Sequence, residues 1–335
     1  MVDQQIINQI IEILLTRITT EDQELGRFLI HDQYDNLDSR IVFWAIREKT
    51  RDLKETTLTD LEDFSDIEVK LTLSPRGFFE DVLKGKNVPY WQVATVMRLL
   101  QSSDIIYDPR GKLDDWKSQA EHVEWQPEVI DLKRQTARML LGRVKNRIQE
   151  DMIADAYIWL IKAAEEAICI PLMNQNAFGL GTAPFLLDSL RNADLNLYDF
   201  FNQLLRISHF NPARLSNARQ ELELLADRLF QQHLRTDREM WILSAFVSIN
   251  ESELRLNQSM DIRNNGKTVS VASRLFETAV GELWQAFFLV AQSPRLDVKL
   301  DPWVVASFWT WFGGTEINEE WLEDKMTFIN TLIES

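Results

Sequence analysis

Two acidic side chains have the spacing in this sequence that best suits chemistry. Asp66 and Glu68 stand two positions apart in SDIEVKL, and residues two apart on a strand project from the same face. Two neighbouring carboxylates repel each other unless a cation binds them, and Mg²⁺ carrying substrate phosphates prefers such oxygen ligands. The pair therefore predicts either a metal site or the polar, solvent-facing edge of a half-buried sheet.

A second set of candidate residues is defined by charge. Residues 52–68 hold seven acidic side chains against one basic one, and residues 131–147 hold six basic side chains against one acidic one. On a helix, the basic segment brings Arg134, Arg138 and Lys145 to one face. Either this face binds nucleotide phosphates, or it forms salt bridges between domains or a solvated surface, as most charge runs do.

The elements that must position these residues begin with a helix and continue with strands. Apolar residues recur at helical spacing over the first 30 residues, and Thr20 with Gln23 resembles a capping box that opens a second helix. Segments rich in branched, aromatic or alternating apolar residues then predict strands. These segments are 41–46, 67–73, 88–96 and 104–109, and Asp-Pro followed by Gly predicts a turn at 108–111.

From Pro127 onward the apolar residues follow a helical period. Residues 128–170 predict one long helix or two, with Gly142 as a weak point. Further helices are expected near 182–208, 215–234, 237–250, 270–292, 302–312 and 318–334, with Gly313-Gly314 ending the helix at 302–312. The predicted fold class is α+β. A small mixed-sheet domain with N-terminal helices spans residues 1–120, and an all-helical domain spans residues 127–335.

Composition and charge exclude several classes of partner. The net charge of −16 opposes binding to nucleic acid and to anionic membranes, so neither partner is expected. No charge-free apolar window is long enough for a transmembrane helix, and the N-terminal segment carries an Asp where a secretory signal would be basic. A cytoplasmic location is therefore expected. The single cysteine, Cys169, cannot form an intrachain disulfide, and its apolar surroundings predict an inert thiol.

Three segments, in this order, resemble the nucleotidyltransferase superfamily, in the branch with a helical C-terminal domain that includes the aminoglycoside (kanamycin) nucleotidyltransferases. They are SDIEVKL at 65–71, SSDIIYDPRGKLDDW at 102–116 and LMNQNAFGLGTAPFLLDSLR at 172–191. The resemblance implies transfer of a nucleoside monophosphate from a nucleoside triphosphate to a small hydroxyl-bearing acceptor. It implies Asp66 and Glu68 as Mg²⁺ ligands in a cleft between the two domains. The triphosphate would then contact the side chains of Arg134, Arg138, Lys145 and Thr57.

The sequence departs from this family at two positions. The family's third carboxylate is expected near Gln92, yet no acidic residue lies in 82–103. The family's phosphate-holding Gly-Ser turn is expected at 53–56, yet no glycine lies between Gly26 and Gly77. Without glycine a backbone cannot easily approach a phosphate, so a hydroxyl from Thr56, Thr57 or Thr59 is the alternative.

Three hypotheses follow from this degenerate motif. In the first, the chain is a nucleotidyltransferase with full or reduced activity. In the second, it keeps the fold and binds a ligand or a protein without catalysis. An all-helical scaffold is the third, and it requires that the predicted strands do not form one sheet.

Two features of the helical domain complete the predictions. In the resembled family a carboxylate of this domain acts as general base, and the candidates are Asp151, Asp155, Glu165 and Glu166. The aromatic run PWVVASFWTWF at 302–312 contains no basic residue. It is therefore expected to pack in the core or to form a homodimer surface, and not to stack on nucleic-acid bases.

Overall fold

The chain folds into two compact units, Met1–Glu124 and Trp125–Ser335. The computed structural model describes residues 4–20, 28–31, 40–47, 53–58, 68–86, 88–108, 110–177, 183–232, 237–265, 269–291 and 302–335. The first unit contains a five-stranded sheet with helices, and the described part of the second unit is built from helices and short turns. The predicted α+β class, with a mixed sheet followed by a helical domain, is confirmed. The single sheet excludes the all-helical scaffold.

The sheet of the first unit has the strand order β3-β4-β2-β1-β5. Its strands are β1 (Phe28–His31), β2 (Arg40–Arg47), β3 (Lys54–Thr57), β4 (Glu68–Pro75) and β5 (Asp104–Tyr107). Strands β2 and β4 are parallel, from Arg40 opposite Glu68 to Arg47 opposite Pro75. The other neighbouring strands are antiparallel, so the sheet is mixed.

One face of the sheet packs on the first helix, α1 (Gln4–Thr20). Val69 and Leu71 of β4 are buried there, as the alternation in the sequence predicts. They belong to a core cluster with residues of β2 and α1, namely Ile41, Phe43, Ala45, Ile7, Ile10 and Leu14. Burial of these branched and aromatic side chains supplies the main force that holds the sheet to the helix.

Three short helices follow in the first unit: α2 (Arg76–Leu83), α3 (Tyr90–Ser102) and α4 (Lys112–Ala120). The predicted strand at 88–96 is therefore wrong. Pro89 precedes the first turn of α3, a position that suits proline because the early helical N–H groups have no partner. Ala94, Met97 and Leu100 are buried at three-residue spacing. The branched and aromatic residues of 88–96 are typical of a strand, and the helical period becomes evident only when the residues after Val96 are included.

The N-terminal predictions need two further corrections. Thr20 is the last residue of α1, and Phe28–His31 is a strand, so the second helix predicted from Thr20 does not extend to these residues. Residues 21–27 lie outside the described part of the chain. The segment proposed for a phosphate-holding turn, 53–56, belongs mainly to β3, which pairs with β4 from Lys54 opposite Leu73 to Thr57 opposite Lys70.

Nine described helices form the second unit. They are α5 (Pro127–Gln149), α6 (Ile153–Asn174), α7 (Ala183–Ala193), α8 (Leu195–Leu204), α9 (Pro212–Gln232), α10 (Asp237–Asn264), α11 (Val269–Ala291), α12 (Pro302–Trp311) and α13 (Glu319–Glu334). Short 3₁₀ turns lie at Ile207–His209 and Gly314–Glu316. Among the described helices, none combines the length and the apolar composition that crossing a bilayer requires.

The predicted helical segments are present, and two of them are divided. Residues 128–170 form two helices that break at Asp151, whose φ is +57°, and α5 continues through Gly142. Residues 182–208 contain both α7 and α8, because the Asp194 side chain caps α8 by accepting from the backbone N–H groups of Asn196 and Leu197. Gly313 ends α12 with a φ of +65°, as predicted.

The aromatic residues at the end of α12 pack within the second unit. The ring of Phe312 lies 6.2 Å from that of Trp284 and 4.9 Å from that of Phe210. The ring of Trp309 lies 6.4 Å from that of Tyr157. These contacts favour the core role predicted for the run at 302–312.

Candidate functional site

The backbone of β4 fixes part of the predicted metal site. Glu68 is the first residue of β4 and lies opposite Arg40 of β2. Thr57, the last residue of β3, lies opposite Lys70, two positions further along β4. The sheet therefore brings the backbones of Thr57 and Glu68 to adjacent strands. Asp66 lies outside the described residues, so the expectation that its carboxylate shares a face with Glu68 stays a prediction.

The polar positions of β4 are covered by protein along most of the strand. Thr72 and Ser74 are buried, on the face where the Trp44 ring of β2 stacks at 6.5 Å on Phe78 of α2. Lys70 is only partly buried. Burial on this face therefore decreases from Ser74 towards Lys70.

The position expected for a third carboxylate has a structural use instead. Gln92 lies in the first turn of α3, and its Nε2 donates a hydrogen bond of 2.8 Å to the carbonyl oxygen of Phe78. This contact ties α3 to α2. The expectation that the family's third carboxylate falls on a strand near Gln92 is wrong, because residues 90–102 are helical.

The basic run on α5 divides into a buried part and an exposed part. Lys133 is buried and donates a hydrogen bond of 2.6 Å to Glu166 of α6. It belongs to the buried line of α5 that continues with Ala137, Leu140, Leu141 and Val144. Arg134 donates to Asp131 at 2.9 Å, and Arg138 is exposed. The charge run therefore combines an interior ion pair with side chains at the surface.

Lys145 lies at a groove between α5 and α13. The groove has a volume of about 430 Å³ and is lined by Lys145, Ile148, Gln149, Glu319, Glu323, Met326, Thr327 and Asn330. Two carboxylates in this lining repel phosphate. The groove is therefore a poor place for Lys145 to bind a triphosphate.

The four acidic residues considered as general bases differ in their surroundings. Glu165 is buried, with Oε1 accepting from Trp284 Nε1 at 3.1 Å and Oε2 from Lys162 Nζ at 2.5 Å. Glu166 pairs with Lys133. Both carboxylates are committed to contacts inside the second unit, which makes them poor proton acceptors for a substrate.

The other two acids lie at the junction of α5 and α6. Asp155 is buried with its Oδ2 at 3.8 Å from Arg147 Nε, and Asp151 is exposed in the left-handed region. The sequence itself indicates the two buried ion pairs, Lys162 with Glu165 and Lys133 with Glu166. Lys162 lies three residues before Glu165, and Lys133 follows the apolar period of α5.

Cys169 lies in the same polar interior. It is buried, and its Sγ donates to the carbonyl oxygen of Glu165 at 3.1 Å. Burial raises the pKa of the thiol to about 12. The predicted buried position of the thiol is confirmed, and the raised pKa disfavours the reactive thiolate near neutral pH.

The donor groups predicted for a metal ion are the carboxylates of the acidic pair, Asp66 and Glu68. Among the side chains that the structure describes, no group of three or more His, Cys, Asp or Glu residues is placed to bind one ion. The side chains of Asp66 and Glu68 are not among these.

Comparison with known proteins finds similarity among solved structures. No family model matches the chain, and no curated protein sequence matches it. A similar solved structure is that of a nucleotidyltransferase-like protein from Exiguobacterium sibiricum 255-15, with 12% sequence identity and a TM-score of 0.38. The match covers 57% of this chain and 66% of that chain, just under two thirds of its length. A similarity this distant assigns neither a family nor an activity.

Proposed function

We propose that this chain is a Mg²⁺-dependent nucleotidyltransferase that moves a nucleoside monophosphate from a nucleoside triphosphate to the hydroxyl of a small acceptor. The observation that carries the proposal is the acidic pair in the sequence, Asp66 and Glu68, of which Glu68 is the first residue of β4. β4 is an interior strand of the sheet, between β3 and β2. Lys70, two positions after Glu68, is only partly buried, which supports the approach of a charged substrate at this end.

The donor set suits a hard divalent cation. Asp66 and Glu68 supply carboxylate oxygens, which Mg²⁺ prefers, and Mg²⁺ commonly keeps waters and substrate phosphates as its remaining ligands. When bound, the ion would neutralise charge on the transferring phosphate. Two carboxylates hold the ion weakly by themselves. Metal and nucleotide should therefore bind together, each raising the apparent affinity of the other.

The remaining roles in the proposal belong to the chain's own side chains. The acceptor hydroxyl loses its proton to solvent and attacks the α-phosphorus, the bond between that phosphorus and the bridging oxygen of the β-phosphate breaks, and pyrophosphate leaves. Arg134 and Arg138 of α5 are better candidates than Lys145 for contact with the phosphates, because Lys145 faces Glu319 and Glu323 across its groove. Thr57, whose backbone lies opposite Lys70 of β4, is the candidate for a hydroxyl that contacts the phosphates. The proposal includes a cytoplasmic location, where nucleoside triphosphates and Mg²⁺ are supplied.

Calorimetric titration tests this function directly. ATP, GTP, CTP and UTP are titrated into the native protein, with and without Mg²⁺, and into Asp66→Ala. We expect binding of at least one nucleotide that requires Mg²⁺ and is lost in Asp66→Ala. The matched control is Asp63→Ala, which removes another acid of the run at 52–68 and should leave binding unchanged. Nucleotide binding that ignores Mg²⁺ and survives Asp66→Ala would exclude the catalytic proposal.

A second candidate is a nucleotidyltransferase fold that binds a ligand or a protein without catalysis. The observation that favours it is that the segment expected to carry a third carboxylate is a helix without an acidic residue, in which Gln92 joins α3 to α2. This candidate predicts that no nucleotide, with or without Mg²⁺, yields pyrophosphate in the presence of any hydroxyl acceptor. Pyrophosphate release that depends on Asp66 would exclude it.

A further inference from the structure

The turn between α12 and α13 is fastened to the segment between α8 and α9 by a compact group of side chains. We call this group, Arg206, His209, Arg214, Gly313 and Glu316, the α12–α13 latch. Arg206 forms an ion pair with Glu316 across 110 residues of sequence. Arg214 donates from Nε to the Trp311 carbonyl and from Nη2 to the Thr310 carbonyl, both at 3.1 Å.

His209 forms the centre of the latch. A Cβ atom added at Gly313 would lie 2.2 Å from His209 Nε2 and 2.5 Å from Cε1, so the ring packs directly against the Gly313 backbone. Gly313 also has a φ of +65°, which favours glycine. His209 Nε2 is inaccessible to solvent and has no hydrogen-bond partner among the described residues. The ring fits this place as a neutral group.

The charged groups around His209 come from each element packed against it. Arg206 follows α8, Arg214 lies on α9, and Glu316 lies in the 3₁₀ turn after α12. Glu316 is exposed and already paired with Arg206, so it offers little to a second cation. Glu221, also on α9, accepts from Trp311 Nε1. Two guanidinium groups therefore oppose a positive charge on the imidazole.

We propose that the α12–α13 latch is an acid-sensitive switch, in which protonation of His209 releases the turn at 312–317 and the start of α13. A protonated ring requires an acceptor or water at Nε2, and the contact with Gly313 provides neither. Release is the route by which a protonated Nε2 reaches solvent. Because Glu319 and Glu323 of α13 line the groove with Lys145, opening of the latch also removes one wall of that groove.

The direction of the pH effect follows from the lowered pKa of His209. Burial is the main cause, and Arg214 and then Arg206 add to it, so the pKa lies below the ordinary value of 6.5. The closed latch therefore binds fewer protons than the open one. Its stability is complete above pH 6.5 and is lost as pH falls through the pKa of the closed form. Between the two pKa values, the equilibrium constant for opening of the latch rises by about tenfold for each unit by which the pH falls.

Hydrogen exchange measured by mass spectrometry tests the proposal. Exchange of peptides covering 310–320 is followed from about pH 8 to about pH 5, the range in which histidine titrates, with correction for the intrinsic rate. The proteins are the native chain, His209→Gln, and His122→Gln as the control, since His122 is an exposed histidine of the first unit. We expect opening to increase on acidification in the native chain and in His122→Gln, and to be independent of pH in His209→Gln.

Two results would overturn the proposal: equal pH dependence in the native chain and His209→Gln, or none in the native chain. If His209→Gln does not fold, the titration of the four histidine Cε1 protons of the native chain by NMR decides. A histidine with a midpoint below 6.5 that coincides with the onset of exchange supports the latch. Four histidines titrating at their ordinary pKa exclude it.

Discussion

Glu165 is a buried carboxylate with both oxygens in use, one by Trp284 and one by Lys162. In an interior of low dielectric, Glu165→Ala removes the acceptor of the Trp284 indole N–H and the carboxylate partner of the Lys162 ammonium, which keeps the longer contact of 3.5 Å with Gln285 Oε1. Breaking a buried ion pair from one side costs about 3–5 kcal/mol, so we expect a loss near the lower figure, since Lys162 keeps some exposure. Urea denaturation measures the free energy of unfolding.

Glu165→Gln is the matched control for that measurement. The amide keeps an acceptor for Trp284 and has nearly the same volume, so its cost should be clearly smaller than that of Glu165→Ala. Equal costs for the two variants would mean that the ion pair with Lys162, which both remove, accounts for the role of Glu165, and that packing and the hydrogen bond to Trp284 do not.

Cys169 gives a second prediction for a single residue. Burial raises its pKa to about 12, and the thiol is inaccessible in the folded chain. An aromatic disulfide reagent at about pH 8 should therefore label no thiol in the native protein and one thiol per chain in denaturant. Rapid labelling of the native chain would contradict the buried position of Cys169.

The candidate site was predictable from residue types only in part. The spacing of Asp66 and Glu68 identified the start of a strand, and β4 begins at Glu68. The pattern of charges could not tell which basic residues of 131–147 face inward, because the helical period of the apolar residues decides this. Lys133 repeats with Ala137 and Leu141 on the buried side of α5, whereas Arg138 lies at the surface. The helical period, applied to the charges, would have separated them.

At the scale of elements, long periodic segments were predicted well and short ones were not. Each predicted helical segment of the second unit contains a described helix, since period 3.6 repeats several times in each. β1 and β3 have only four residues, too few for a period, and their pairing with other strands defines them. The break between α5 and α6 lies at Asp151, whose backbone is in the left-handed region. Tertiary structure sets this position, and no residue type in the sequence marks it.

Two glycines, one inside a helix and one in the turn after a helix, give a paired prediction. Gly142 is exposed inside α5, and an added Cβ would meet nothing within 4 Å. Gly142→Ala should therefore stabilise the protein by about 0.5–1 kcal/mol, because alanine loses less backbone entropy. Gly313→Ala should destabilise it by at least about 1 kcal/mol, because alanine is strained at a φ of +65° and its Cβ would overlap His209. Thermal denaturation of both variants measures the difference.

The sign of each change decides this comparison. Destabilisation by Gly142→Ala would show that α5 requires glycine there, as a break or a close contact would. A neutral Gly313→Ala would show that the turn after α12 is not seated on His209, and it would also remove the geometric basis of the latch.

At the scale of the whole molecule, the two units have separate hydrophobic cores. In the first, the sheet packs on α1 around Phe43 and Val69. In the second, Trp284, Phe287 and Phe312 are buried among the helices. A unit with its own core carries most of its folding free energy within itself. The helical unit should therefore fold without the first unit.

The start of the helical unit is fixed by Trp125, and this position gives the last prediction. Trp125 is buried, and its Nε1 donates to the Ala177 carbonyl at 3.0 Å, joining the segment before α5 to the turn after α6. A fragment of residues 121–335 should show helical circular dichroism and a cooperative thermal transition. A fragment of residues 128–335 lacks Trp125 and should be less stable by about 3 kcal/mol, the usual cost of removing a buried aromatic side chain. Equal stability of the two fragments would place the first structural residue of the unit after Trp125, and an unfolded 121–335 fragment would contradict its independence.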